Sequence, residues 1–423
     1  MENITTNKKK AIKDIQVSML YFFPVMFLLI GLGYGIFVEG FQNVISGLVK
    51  ILVSPTILIT DFVEAGGIGA TFINVGVIAV FNLALIRYYK LRISGVILAA
   101  FLTVVGFSFF GKNLLNIMPI YLGGFLYAKH QKISPKGILI VIMFGTALSP
   151  IVSELMFTGI MPQLLALAVG ILAGTFIGFI LVPLSSHFLK FHNGFNLYNI
   201  GFASGIIGTV LTSVLRSFKI EVAPVSIIYQ KSQGILLLFL IVIFVYLMIL
   251  GLYMNEKPLR QYFQIFKYRG RLVTDFTHLI GNGLSLINMS ILGLFCTAYV
   301  LVFKGTINGP VIAGILTVTG FGAFGKHLKN CLPIMVGVLA GALLFGYDLS
   351  STGVIISVLF STTLAPVAGT YGPIIGFAAG VLHMTLVTNV GVIHGGINLY
   401  NNGFSGGLVA GFFVPIVDAF KKR

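Results

Sequence analysis

Two stretches place side chains fit for polar chemistry in an otherwise apolar chain. One is "HNGFNLYNIGFASG", His192 to Gly205; the other is "HGGINLYNNGFSGG", His394 to Gly407, and nine of the fourteen positions are identical at an offset of 202. Asn196 and Asn199 are spaced i, i+3, as are Asn398 and Asn401, so each pair shares one helix face. An asparagine offers two donors and an acceptor without charge, which suits a small polar solute. With Tyr198 and Tyr400 these four form the candidate substrate lining. Gly194 and Gly396 can supply an unusual backbone angle ahead of each helix. Gly201 with Gly205, and Gly403 with Gly407, make small-residue faces for close packing. The plainer reading of the motif is a helix cap plus an interhelical hydrogen bond.

A second constellation is "GFSFFGKNLLNIMPI" (106–120), repeated as "GFGAFGKHLKNCLPI" (320–334) at an offset of 214. It adds Asn116 and Asn330 to the candidate lining. Lys112 and Lys326 either anchor a hairpin tip by snorkelling or attract an anion. Asp61 and Asp275 each stand in "TDF", a helix N-cap signature; the alternative is a proton or Na⁺ ligand. Glu154 has no counterpart in the second copy. His192 and His394 are either proton carriers or helix-end histidines. These seven residues, Lys112, Lys326, Asp61, Asp275, Glu154, His192 and His394, are the coupling candidates. No His/carboxylate group has metal-ligand spacing, so neither a metal centre nor a cofactor is expected. "GFGAFGKH" lacks the spacing and Ser/Thr of a phosphate-binding loop, and no hydrolase or metalloprotease motif occurs, so an enzyme is not expected.

The elements that must position these residues are helices in a membrane. Hydrophobic residues are 57% of the 423 and charged ones 9%, too few to cover a soluble protein of this size. Apolar runs long enough to cross a hydrocarbon core of about 30 Å recur, without the alternation of a β-barrel. The formal charge of +16 fits a positive-inside bias better than nucleic-acid binding. Two cysteines, Cys296 and Cys331, lie in or beside apolar segments and do not suggest a disulfide.

"TDF" recurs at an offset of 214, and "TALSP" (146–150) returns as "TTLAP" (362–366) at 216. The drop to 202 places about fourteen extra residues near "SELMFTGIMPQLLA" in the first copy. The expected organisation is a cytoplasmic tail (1–15), a membrane repeat (16–220), a linker (221–232), a second repeat (233–418) and a short cytoplasmic tail (419–423). Charge bias inverts between copies: "KHQKISPK" (129–136) is basic while "ALLFGYDLSS" (342–351) carries no base. The 40–60 loop has one Lys, and its counterpart has five basic residues. Inverted-topology repeats follow, with both termini cytoplasmic. The fold class expected is an all-α polytopic membrane protein with about 12–14 segments, some broken at "TALSP" and "TTLAP" or re-entrant at the 94–128 and 308–342 hairpins.

The doubled "HxGxNLYNxGFxxG" with "FGKxxxNxxPI" resembles a bacterial multi-pass membrane family known only as domain of unknown function 1576, over nearly the whole chain. That resemblance implies a bacterial inner-membrane protein and carries no activity or site residues with it. The residues themselves point to a transporter of a small polar solute or ion, with its site between the repeats. Its expected partners are the lipid bilayer and that solute; a homo-oligomer is compatible with it. The alternatives are a passive channel, a membrane-embedded enzyme on lipid substrates, and a scaffold with a dry repeat interface.

Overall fold

The computed structural model describes residues 2–57, 59–159, 161–220, 222 and 225–420, with side chains from Ser18 onward. The expected linker and C-terminal tail lie partly outside these. The chain opens with α1 (Glu2–Tyr34), which continues through a π turn to Glu39, then α2 (Phe41–Val53), α3 (Phe62–Tyr88), α4 (Gly95–Phe107) and α5 (Leu114–His130). The broken pair α6 (Leu139–Gly145) and α7 (Ser149–Phe157), then α8 (Gln163–His192) and α9 (Asn199–Ser217), complete the first half. The second half holds α10 (Gly234–Met254), α11 (Phe276–Leu279), α12 (Asn282–Val302), α13 (Gly309–Phe321) and α14 (Leu328–Leu344). It ends with the broken pair α15 (Thr352–Ser361) and α16 (Ala365–Tyr371), then α17 (Pro373–Val390) and α18 (Asn401–Phe420). Ten stretches among the described residues are long and apolar enough to cross a membrane, and α2, α4, α13 and α14 are shorter apolar helices beside them. The protein is an all-helical, multi-pass membrane protein in contact with lipid.

Two helices form the centre. Every residue of α13 and all but Val96 of α4 is buried, as expected for helices that are apolar all round. They run antiparallel: a Cβ on Gly106 would lie 3.0 Å from Ala313 Cα, and one on Gly320 would lie 3.0 Å from Ala99 Cα. Each has 13 residues, so each is about 20 Å long, short of the hydrocarbon thickness. The start of α4 at Gly95 therefore meets the tip of the second hairpin at Ala323, and the start of α13 at Gly309 meets the first tip at Phe109. Around this pair the halves pack alike: α1 on α3 as α10 on α12, and α5 on α8 as α14 on α17. The last packing is close in both copies, since a Cβ on Gly123 would lie 1.9 Å from the Thr175 carbonyl oxygen and one on Gly337 2.1 Å from that of Phe377.

The extra residues of the first half are where the offsets put them. Gly174 faces Pro119 and Val152, and Gly376 faces Pro333 and Ala368, so the offset is already 202 within α8. The surplus is the loop before α8 and its first turns.

The structure corrects the reading of residues 40–60 as a loop. They include α2, which buries Val44, Gly47 and Ile51 and exposes Phe41, Ile45, Val49 and Val53. Thirteen residues are too few to span, and Gln42, Asn43, Ser46 and Lys50 on the exposed side interrupt the apolar run, so no membrane segment is expected there. The next span, α3, begins at Phe62 and carries a break at Gly67 (φ 86°) that still leads into helix. Glu39 caps the helix restarting there, its two carboxylate oxygens accepting from Ile68 N and Gly69 N at 2.8 Å each. Gly281 (φ 96°) makes the equivalent break between α11 and α12.

Candidate functional site

The breaks at "TALSP" and "TTLAP" are real: a 3₁₀ turn, Thr146–Leu148 or Thr362–Leu364, separates α6 from α7 and α15 from α16. Breaking a helix frees carbonyls. Here the opposite half takes them: Leu399 N donates to Ala147 O and Leu197 N to Thr363 O, both at 3.0 Å. The extended residues ahead of α9 and α18 thus dock onto the broken helices of the other repeat.

Both hairpin tips turn at a glycine, Gly111 (φ 78°) and Gly325 (φ 90°). Asn74 Nδ2 holds the first tip through Ser108 O (2.9 Å) and Lys112 O (3.0 Å). Asn288 Nδ2 holds the second through Gly322 O (2.7 Å) and Lys326 O (2.8 Å). The turn sends each lysine inward, where both are fully buried. Lys112 Nζ donates to Thr146 Oγ1 (2.8 Å) and to Tyr400 OH (2.7 Å). Lys326 Nζ donates to Thr362 Oγ1 (2.7 Å) and to Tyr198 OH. Each amine also lies over aromatic rings, Phe107 and Tyr400 for one, Phe321 and Tyr198 for the other. The lysine and threonine of one repeat therefore grip the motif tyrosine of the other, twice.

The two polar motifs meet. Asn196 Nδ2 donates to Gly403 O at 3.0 Å and Asn398 Nδ2 to Gly201 O at 3.4 Å. Between them, and between α4 and α13, lies a chamber of about 410 Å³. Its walls come in repeat-related pairs: Thr103 and Thr317, Phe107 and Phe321, Phe144 and Phe360, Tyr198 and Tyr400. It extends past Asn199 towards Val273 and Phe324. A second cavity of about 300 Å³ is lined by Ile59, Phe110, Ser357 and Asn401, repeat equivalents of residues lining the first. The two share Phe360, Leu399 and Asn402. No carboxylate, histidine, lysine or cysteine lines either among the described residues.

Of the sequence-predicted lining, Tyr198, Tyr400 and Asn199 reach the chamber and Asn401 reaches the second cavity. Asn196 and Asn398 lie behind it: Asn196 Oδ1 accepts from Tyr198 N and Thr363 Oγ1, and Asn398 Oδ1 accepts from Tyr400 N. Asn116 and Asn330 face their own hairpin tips, in capping boxes with Asn113 and His327. Asn199 joins His192 Nε2 (3.0 Å) to Ser185 O (3.0 Å), and Asn401 joins His394 Nε2 (2.9 Å) to Val387 O (3.1 Å). The histidines are thus braces behind the asparagines. Glu154 is buried in α7, with Oε2 unpartnered among the described residues and away from both cavities.

Asp61 and Asp275 sit as N-caps and tie the halves together. Asp61 accepts from Val63 N and, across the repeat, from Gly309 N, and also from Tyr229 N. Asp275 accepts from Thr277 N and from Gly95 N. Asp61→Ala leaves three buried N–H groups unpaired and should cost about 3 kcal/mol or more, seen as a lower melting temperature. Asp275→Ala should cost less, its site being half-buried.

Three pairs of residues at or beside the cavities were not read from sequence. The walls Phe107 and Phe321 read simply as apolar helix. Thr103 and Thr317, at the repeat offset of 214, have buried hydroxyls with no partner among the described residues, where helical threonines commonly bond the preceding turn. Asn402 and its partner His383 occur in one copy only, so a search for repeated polar residues passes over them.

A reciprocally tied helical bundle enclosing a chamber between two sequence repeats is a polytopic membrane protein with an internal, repeat-lined site. The chain belongs to the family described as Protein of unknown function (DUF1576), whose pattern matches residues 41–217 and 254–419. Those stretches fall one in each repeat. No curated protein and no solved structure matches the chain.

Proposed function

We propose that this protein is a membrane transporter for a small solute with an apolar body and a hydrogen-bonding group. It works by alternating access between two inverted repeats. The observation that carries this reading is the pair of repeat-related cavities: the chamber and the second cavity meet at a wall of Phe360, Leu399 and Asn402, which line both. Exchanging the equivalent wall, Phe144, Leu197 and Ile200, for this one would open the chamber to the other side. The antiparallel pairing of α4 with α13 and the opposite charge bias of the two halves favour inversion. A cavity of this volume at the repeat interface speaks against a dry scaffold. The absence of a carboxylate, histidine, lysine or cysteine from its lining, among the described residues, speaks against an enzyme. The aromatic walls favour an apolar body, and the unspent Thr103 and Thr317 hydroxyls favour a polar group on it.

The test combines accessibility with flux. Val273→Cys and Ile59→Cys line opposite cavities, while native Cys296 and Cys331 are buried. In oriented liposomes, impermeant thiol reagents should reach Val273→Cys and Ile59→Cys from opposite faces. A transported solute should change the two labelling rates in opposite directions. Accumulation against a gradient, driven by a proton or Na⁺ gradient, would support the carrier. Equal labelling from one face, or no flux of any solute from folded protein, would overturn it.

A further inference from the structure

Asn402 is the one polar residue shared by both cavities. Its Oδ1 lies 3.0 Å from His383 Nε2. With the amide oxygen facing the ring, the imidazole carries its hydrogen on Nε2 and the amide nitrogen points away from it. His383 is fully buried and its Nδ1 has no partner among the described residues, so the bond to Asn402 is the ring's one polar contact. The Asn402 amide nitrogen has no hydrogen-bond partner among the described residues, although the residue is 7% exposed. Asn199 and Asn401, the other cavity asparagines, have both ends engaged. In the first repeat the matching positions hold Leu181 and Ile200, an apolar pair. The His–Asn dyad therefore breaks the two-fold relation at the wall between the cavities.

We propose that Asn402, held by His383, is a specificity-determining residue whose amide N–H groups bind a carbonyl or carboxylate oxygen of the solute at the junction of the two cavities. This rests on the transport reading above. Around the junction the chamber offers aromatic faces, so the class implied is a small carboxylate or amide with an apolar or aromatic body. His383 is a positioning residue: it fixes the amide and does not touch the solute.

The probes are benzoate, benzamide and benzylamine, one flat body with three head groups, titrated by calorimetry into purified full-length protein. Wild type should bind benzoate and benzamide and ignore benzylamine. Asn402→Ile and His383→Leu install the residues of the first repeat, so both should pack. Asn402→Ile should weaken binding roughly 10- to 100-fold by removing the donors. His383→Leu should weaken it less, and the double variant should be no worse than Asn402→Ile alone. A merely structural dyad would lower the melting temperature and leave the affinities unchanged. Should Asn402→Ile not fold, Asn402→Asp serves: it keeps the shape but presents an acceptor, and must shift preference towards benzylamine. An unchanged preference overturns the assignment. So does a wild type that binds none of the three, while the flux assay separately decides whether transport survives.

Discussion

Replacing Lys112 and Lys326 together by methionine should leave a folded protein in which the proposed transport is lost. An ammonium buried without a counter-charge costs several kcal/mol, and the aromatic faces beside each amine return roughly 1–2 kcal/mol. Neither lysine has a carboxylate within 4 Å; among the described residues the ion pair present is Lys231 with Glu64, near the surface. Methionine matches the length and flexibility of the stem and removes the penalty. Thr146 and Thr362 stay satisfied, because each hydroxyl also donates within its own helix, to Met143 O and Leu359 O. Stability should therefore hold or rise. Such costly groups persist at membrane depth where function needs them, and here each holds a chamber tyrosine belonging to the other repeat. Flux per folded molecule should fall roughly 10- to 100-fold, the loss of a hydrogen bond at each chamber tyrosine. Melting curves and proteoliposome flux on one preparation decide the matter. A destabilised protein with intact flux would make the lysines structural.

Much of this architecture was legible because a repeat writes each structural demand twice. Thr146 and Thr362, Asp61 and Asp275, and the two "NLYN" segments stand out against drifting apolar neighbours, and each pair proves to hold a break, a helix cap or a cross-tie. The same logic misplaced the chemistry. A buried extended segment has backbone groups that must be paired, and Asn196 and Asn398 serve those needs ahead of any ligand. Spacing alone cannot separate a donor facing a cavity from one facing a carbonyl. The chamber walls were invisible for the opposite reason: Phe107, Phe321, Thr103 and Thr317 lie on helices buried all round, where sequence carries no mark of which face meets a void. His383 and Asn402 were lost because repetition was the criterion and they are the exception to it.

The crossing of α9 and α18 should tolerate little added bulk. Gly201 and Gly403 meet there, a Cβ on either lying about 3 Å from the other's Cα. One turn on, Phe202 fills the space over Gly407 and Phe404 fills that over Gly205, and a Cβ on either glycine would lie 2.2 Å from the facing ring. Valine at both Gly205 and Gly407 must drive the helices apart. Overpacking alone costs about 1–3 kcal/mol per site. Separation also breaks Asn196 to Gly403 O and Asn398 to Gly201 O, and pulls Leu197 and Leu399 from the broken helices. Each buried group left unpaired adds about 1–3 kcal/mol. The sum approaches the whole stability of an ordinary domain, roughly 5–15 kcal/mol, so Gly205→Val/Gly407→Val should not accumulate as monodisperse protein. Gly33→Val is the control, since nothing lies within 4 Å of its added atom. The atoms struck are side chain, not backbone, the rings first and then Cβ, at 2.8 Å for Phe202 and 2.5 Å for Phe404, so Phe202→Ala should restore much of the folding lost in Gly407→Val, while Gly205→Val needs Phe404→Gly. Size-exclusion profiles of these variants read the result directly. If the ring truncations fail to rescue, the glycines are needed for the backbone approach of Gly201 to Gly403 itself, and the two tyrosines owe their places to that approach.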